Sequence, residues 1–265
     1  MSEATGATGS APADVVLTER RDGVLVITIN RPRVKNALDG ETARALAAAF
    51  TELDGDDTLR VGVLTGAGGT FCTGMDLKAF VTGDVPFVEG RGFGGLVQQP
   101  PAKPLIAAVE GYAVAGGFEL LLGCDLVVAA RTAQLGVPEV KRGLVAGGGA
   151  ALHLAQRIPR AIALELLLTG DPITAERATD LGLVNRLAEP GGALDAALEL
   201  AGAIAANGPL AVRVTKELAH RGADWSFDQS WEEQGPIVTP VFASEDAREG
   251  ATAFAEKRAP VWKGR

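Results

Sequence analysis

Three short apolar runs, VGVLTG (61–66), PLIAAV (104–109) and DLVVAA (125–130), limit what this chain can fold into more than any other feature. Each is too short for an ordinary helix, and none alternates with polar residues, so they read as strands buried on both faces. Gly-rich segments or short helical pieces separate them. Before them, VVLTERRDGVLVITINRP carries two alternating runs around Arg21-Asp22-Gly23, the signal of a β-hairpin. Asp39 is placed to cap a helix from Glu41 to Leu53, with Leu46, Ala49, Phe50 and Leu53 on one face. From about Ile158 the texture becomes helical: AIALELLLTG, TAERATDLG, the stretch Ala193 to Ala206, and further starts near Pro209, Trp225 and Ser244. Strands with short helices first and helices alone last predict a mixed α/β (α+β) core followed by a helical region. Strand, loop and short helix recur loosely through the first two thirds. The C-terminal stretch ATAFAEKRAPVWKGR is mixed apolar and basic to its end and is expected to pack on something, a neighbouring subunit being one candidate.

Composition narrows the function classes. A net charge of −8 argues against nucleic acid as a partner, because phosphate binding needs basic patches. No apolar stretch reaches the ~20 residues of a membrane span, and MSEATGATGSAP has neither the basic nor the apolar region of a signal peptide. Residues 1–12 read as a disordered tail, 13–200 as the core and 201–265 as the helical region. Cys72 and Cys124 fit a reducing cytoplasm better than a disulfide framework, and His153 and His220, far apart and without ligand-spaced neighbours, read as structural. No metal site is expected.

The chemistry centres on VAGGFEL (114–120), which sets a carboxylate in an apolar window. Such a group is costly unless it lies at a helix end or is used. Gly116 and Gly117 allow a tight turn, and Phe118 to Leu122 look helical, so the glycine amides lie at a helix N-terminus and Glu119 in its first turn. A second carboxylate, Glu139, follows in QLGVPEVKRGLVAGGG; alone it would read as a surface partner of Lys141 or Arg142. In GAGGTFCTGMDLKAF a glycine turn leads to a helix opened by Asp76, which leaves the Met75 amide free for an oxyanion. Two backbone donors and two carboxylates suit the polarisation of a carbonyl together with proton transfer.

RPRVKNAL (31–38), TGMDLK (73–78), KPLIAAVEGYAVAGGFEL (103–120), GVPEVKRGLVAGGG (136–149) and AFAEKRAPVWKG together resemble the crotonase, or enoyl-CoA hydratase, superfamily, in order and spacing, over nearly the whole chain beyond Asp14. The resemblance implies a spiral of ββα turns with a C-terminal helical trimerisation region, assembled as a homotrimer or a homohexamer built from two trimers. It implies an oxyanion hole from the amides of Met75 and Gly116, and Glu119 and Glu139 acting on one water. Coenzyme A enters as part of an acyl-CoA thioester and not as a separate cofactor. Arg33, Lys35, Ala37, Asp76, Leu77, Lys78 and Lys257 match the segments that hold it. Each lone surface cation reads equally well as merely solvated. Keeping both glutamates implies a hydratase acting on a trans-2-enoyl-CoA, as in β-oxidation. A carnitinyl-CoA-type dehydratase, a double-bond isomerase and a non-catalytic acyl-CoA-binding relative are the alternatives.

Three departures from the family pattern bear on the pocket: Ala115 stands where relatives often have glycine, Met75 where Ala is common, and Ala146 where Pro is common. DVPFVEGRGFGGLVQQPP (84–101) is the least familiar stretch. Its Phe87 and Phe93 are expected in the acyl pocket with Leu144 and Gly147, and Arg91 is set there to grip a polar acyl group or else stands solvated. A serine hydrolase is excluded by the lack of Gly-x-Ser-x-Gly, and a Rossmann enzyme by GRGFGG not following a strand.

Overall fold

The computed structural model describes residues 14–265, so the tail expected at residues 1–12 lies outside the described residues. A six-stranded sheet is formed by β1 (Val16–Arg21), β2 (Val24–Ile29), β3 (Val61–Gly66), β6 (Leu105–Val109), β8 (Leu126–Ala130) and β11 (Arg186–Ala188), in the order β1-β2-β3-β6-β8-β11. β1 and β2 form the expected hairpin, whose two-residue turn holds Asp22 and Gly23 at φ 46° and 80°. Every later pairing in this sheet is parallel. A parallel neighbour requires a crossover, and each crossover is one turn of the spiral.

Between the main strands lie β4 (Phe87–Val88), β5 (Gly92–Phe93), β7 (Tyr112–Val114), β9 (Gln134–Gly136) and β10 (Ile173–Thr174). β4 and β5 form a small hairpin, and β10-β9-β7 a second sheet. The helices are α1 (Gly40–Gly55), α2 (Leu77–Val81), α3 (Gly116–Gly123), α4 (Ala150–Arg157), α5 (Arg160–Thr169), α6 (Ala175–Asp180), α7 (Ala193–Ala205), α8 (Pro209–Arg221), α9 (Phe227–Phe242) and α10 (Glu245–Glu256). Asp39 caps α1 by accepting from Thr42 N at 2.9 Å. Ser226 and Ser244 likewise cap α9 and α10, placing their starts at the expected positions.

The period of two along the strands divides the core in two. Leu25, Ile27, Leu64, Leu105 and Ala107 face the helices and the second sheet. Val24, Val61, Val63, Ile106 and Val128 face α7, whose Ala197 and Ala201 let it lie close to the sheet. α7 runs across the boundary expected at 200/201, and its Ala201 packs on the sheet with Ala197. The C-terminal stretch packs on its own chain: Trp262 Nε1 donates to Ala206 O at 2.8 Å, and Asp246 accepts from Lys263 N and Gly264 N at 2.7 and 2.9 Å.

Candidate active site

Two turns of the spiral meet at Gly74 and Gly116. Cys72 lies beside β7: its N donates to Tyr112 O at 3.0 Å and its O accepts from Val114 N at 3.1 Å. The chain then reverses at Gly74, φ 93°, where a Cβ would sit 2.8 Å from Gly116 N. Only glycine tolerates both that φ and that approach. Leu38 N donates to Gly74 O at 2.7 Å, and Asp76 N to Leu38 O at 2.8 Å, pinning both neighbours of Met75. The Met75 and Gly116 N–H groups themselves have no acceptor among the described residues. Across from them Ala115 holds φ 53°, ψ −130°, a conformation that costs a residue with a Cβ about 1–3 kcal/mol. Phe118 N and Glu119 N both donate back to Ala115 O, at 2.8 and 3.1 Å, which starts α3 and leaves the Gly116 amide pointing free.

An arginine braces this arrangement. Arg31 Nη2 lies 2.6 Å from Asp39 and 3.2 Å from Asp76, and Nη1 donates to Ala37 O. Asp76 also accepts from Lys78 N and Ala79 N at 3.0 and 3.4 Å, capping α2. One guanidinium thus joins the N-terminal caps of α1 and α2 and fixes the residue after Met75. Asp76 lies 45 residues along the chain from Arg31, so no local pattern in the sequence signals that pairing.

Glu119 is 4% exposed; its Oε1 accepts from Ala150 N at 3.2 Å. Burial pushes its carboxyl up to about 7, helped by the nearby Glu139 charge and opposed by the amides of Ala150 and Gly148. Glu139 lies in a 3-10 turn, Pro138–Arg142, half-buried. Burial raises its pKa as well, against the pull of Arg142. Its Oε2 is buried without a hydrogen-bond partner. A carboxylate oxygen in that state has room for one ligand proton and none of its own chain to supply it.

Both glutamates, Met75 and Gly116 line one cavity of about 480 Å³. Of the residues expected in the acyl pocket, Phe87, Phe93, Leu144 and Gly147 line it. Arg91 does not: it is turned toward α1, donating from Nη2 to Thr51 Oγ1 at 3.0 Å, so the grip on a polar acyl group is withdrawn. The β4–β5 hairpin presents its phenylalanines inward, paired edge to face with centroids 5.6 Å apart, which leaves the arginine outside. Lys35 and Leu77 line the cavity, and the Lys35 ammonium stands 5.3 Å from the centre of the Tyr112 ring. Arg33, Lys78 and Lys257 are exposed, and Ala37 is buried; none of the four lines the cavity. Asp76 likewise stays outside it, its carboxylate engaged as described. Tyr112, Arg142, Val145 and Gly148 line the cavity without having been expected there. Of the histidines, His220 is held by Asp125 at 3.0 Å, whereas His153 is exposed and, among the described residues, has Gln156 at 3.4 Å as its hydrogen-bond partner.

Free amides beside one buried and one half-buried carboxylate define an acid–base enzyme built to hold an oxyanion. The chain belongs to the enoyl-CoA hydratase/isomerase family, whose model matches residues 19–265. It is 44% identical to the enoyl-CoA hydratase EchA19 of Mycobacterium tuberculosis, over 94% of this chain and 96% of that protein. It is 40% identical to the carnitinyl-CoA dehydratase of Proteus mirabilis, over 92% and 97%. The crystal structure of the enoyl-CoA hydratase EchA1 from Mycobacterium marinum superposes with a TM-score of 0.94 at 60% identity, covering 96% of this chain and all of that one. The spiral fold expected from the motifs is therefore the fold found.

Proposed function

We propose that the chain catalyses the reversible addition of water to a trans-2-enoyl-CoA, giving a 3-hydroxyacyl-CoA. The observation that carries this reading is the unpartnered Glu139 Oε2 in the same cavity as Glu119. A water there would meet two carboxyl groups that disfavour simultaneous ionisation, so one holds a proton while the other accepts one. The Met75 and Gly116 amides would receive the thioester oxygen as negative charge develops on it, each such donor contributing roughly 3 kcal/mol in the transition state.

Around this centre, Lys35 at the cavity and Arg33, Lys78 and Lys257 outside it are the cations offered to the phosphates of coenzyme A, with Ala37, Asp76 and Leu77 lending backbone along the same segments. The charged residues of the cavity lining are Lys35, Glu119, Glu139 and Arg142. Phe87, Phe93, Leu144 and Val145 give the cavity an apolar wall suited to an acyl chain, and substrate profiling with crotonyl-CoA and a carnitinyl-CoA-type thioester separates the two acyl classes. The exposed Phe227, Trp231 and Phe242 of α9 support self-association, for which the family resemblance suggests a homotrimer or homohexamer. Two free, buried cysteines are compatible with a cytoplasmic enzyme of fatty-acid metabolism. No helix of the described residues is long and apolar enough to cross a membrane.

The test is the near-ultraviolet absorbance of crotonyl-CoA mixed with the protein. Loss of the conjugated signal, reduced about 10²–10⁴-fold in kcat by either Glu119→Gln or Glu139→Gln, is expected. Binding of the thioester without loss of signal would reject short-chain hydration.

A further inference from the structure

We propose that Glu119 exchanges its proton with solvent through a second cavity behind it, with His153 as the relay at the mouth. This rests on the hydration reading above. The rear cavity, about 190 Å³, shares only Glu119 and Gly148 with the front one. The partition between them is the backbone of Gly148, Gly149 and Ala150. A Cβ at Gly148 would run into Glu119 Oε2, and one at Gly149 would lie 3.1 Å from His153 Cδ2. Ala150 N donates to Glu119 Oε1 at 3.2 Å. Gly148 and Ala150 therefore lie against the carboxylate, and Gly149 between them lies against the imidazole.

The remaining polar groups of the rear wall are engaged. Arg157 Nη2 donates to Leu122 O at 2.8 Å, and His220 is held by Asp125, which also pairs with Lys216 at 2.6 Å. His153 is exposed on the first turns of α4, with no carboxylate bound to it. An imidazole ring has one nitrogen to receive a proton and another to release one, and a space of this size, with Glu119, Arg157 and the two histidines on its wall, admits water.

The reaction creates the need. As the water oxygen bonds to C3, one carboxylate takes the water proton, and the other carboxylic acid gives its proton to C2. The substrate gains one H2O, and the two glutamates end with exchanged protonation. Resetting them moves one proton onto or off Glu119 and one in the opposite sense off or onto Glu139. Glu139 opens only to the front cavity and exchanges with the water that enters there as product leaves, whereas Glu119 also has a path to solvent at its back. The rear cavity leaves that path open, and the Glu119 carboxyl, near 7, is suited to both directions.

The experiment measures kcat and KM for crotonyl-CoA hydration by the full-length protein, wild type and His153→Ala, in a bulky buffer with and without imidazole. Expected is a kcat lower by about tenfold or more in His153→Ala, an unchanged KM, and recovery on adding imidazole. His153→Phe, which closes the mouth, is expected to lose kcat and not recover. An unchanged kcat in His153→Ala, or a loss that imidazole leaves in place, overturns the route while the hydratase reading stands. A wild type that binds crotonyl-CoA and does not hydrate it overturns both.

Discussion

Helices α3 and α9 both carry large apolar side chains, yet seven of the eight residues of α3 are buried and none of the sixteen of α9. In α9 Phe227, Trp231 and Phe242 are 77%, 64% and 78% exposed, Phe227 and Trp231 stacked edge to face on the surface. The spiral closes its own core, and every polar group trapped inside it must be satisfied internally or be perturbed. The C-terminal helices hold to the core through a few polar ties, such as Lys216 to Asp125, and keep an apolar face for a cover. Chemistry sits in the first region, where burial raises the Glu119 and Glu139 carboxyls beside the free amides of Met75 and Gly116.

The contrast predicts that substitutions in the spiral act on fold stability and substitutions on α9 act on association. The largest effect is expected for Arg31→Met, which leaves Asp39 and Asp76 as unpaired carboxylates in sites only 14% exposed. Breaking such a pair costs about 3–5 kcal/mol, read as a drop in the denaturant midpoint, with activity falling as Met75 loses its anchor. A variant as stable as the wild type would show that the spiral does not depend on internal pairing.

Glu119→Gln is expected to stabilise the fold while abolishing turnover, with a definite pH dependence. The carboxyl lies near 7 in the fold instead of the ordinary 4.5. As pH rises through that window the unfolded chain ionises and the folded one resists, so stability is lost across it and the penalty is complete above it. The variant should gain up to about 3 kcal/mol over wild type at about pH 8 and nothing at about pH 4. Equal gains at both would mean that the carboxyl is not strained by burial.

Ala115→Gly should stabilise by about 1 kcal/mol, since glycine relieves the strained backbone and gives back part of the gain as unfolded-state entropy. A destabilised variant would place the value of Ala115 in its methyl contacts. Smallest is the effect of Phe227→Ser with Trp231→Ser on the isolated fold, within about 0.5 kcal/mol. In sedimentation the same double variant should shift toward monomer, and an unchanged mass would put the association surface elsewhere.

How far the site was legible follows the range of the interactions. The Asp39 cap, the Asp22-Gly23 turn and the helical start beneath Glu119 are set by residues within a few positions, and each was readable. The motifs that resemble the family also marked Met75, Gly116 and both glutamates. Arg91 misled because its direction depends on which face of the β4–β5 hairpin packs inward, and two phenylalanines outcompete it for the cavity. Tyr112 was in plain view inside EGYAVAGG, yet its ring becomes a wall only because Lys35 arrives from another turn of the spiral.

The sequence by itself determined the strands, the helix starts, the glycine turns and the chemical kind of each candidate group, because periodicity, capping and backbone freedom act over a few residues. Tertiary structure alone decided that Gly74 packs on the Gly116 amide, that one arginine joins two helix caps, and that Glu119, bonded to an amide 31 residues away, faces two cavities. Those contacts come from parallel strand pairing, which aligns distant turns side by side. Burial then acts on whatever that alignment encloses, and the raised carboxyls are its result.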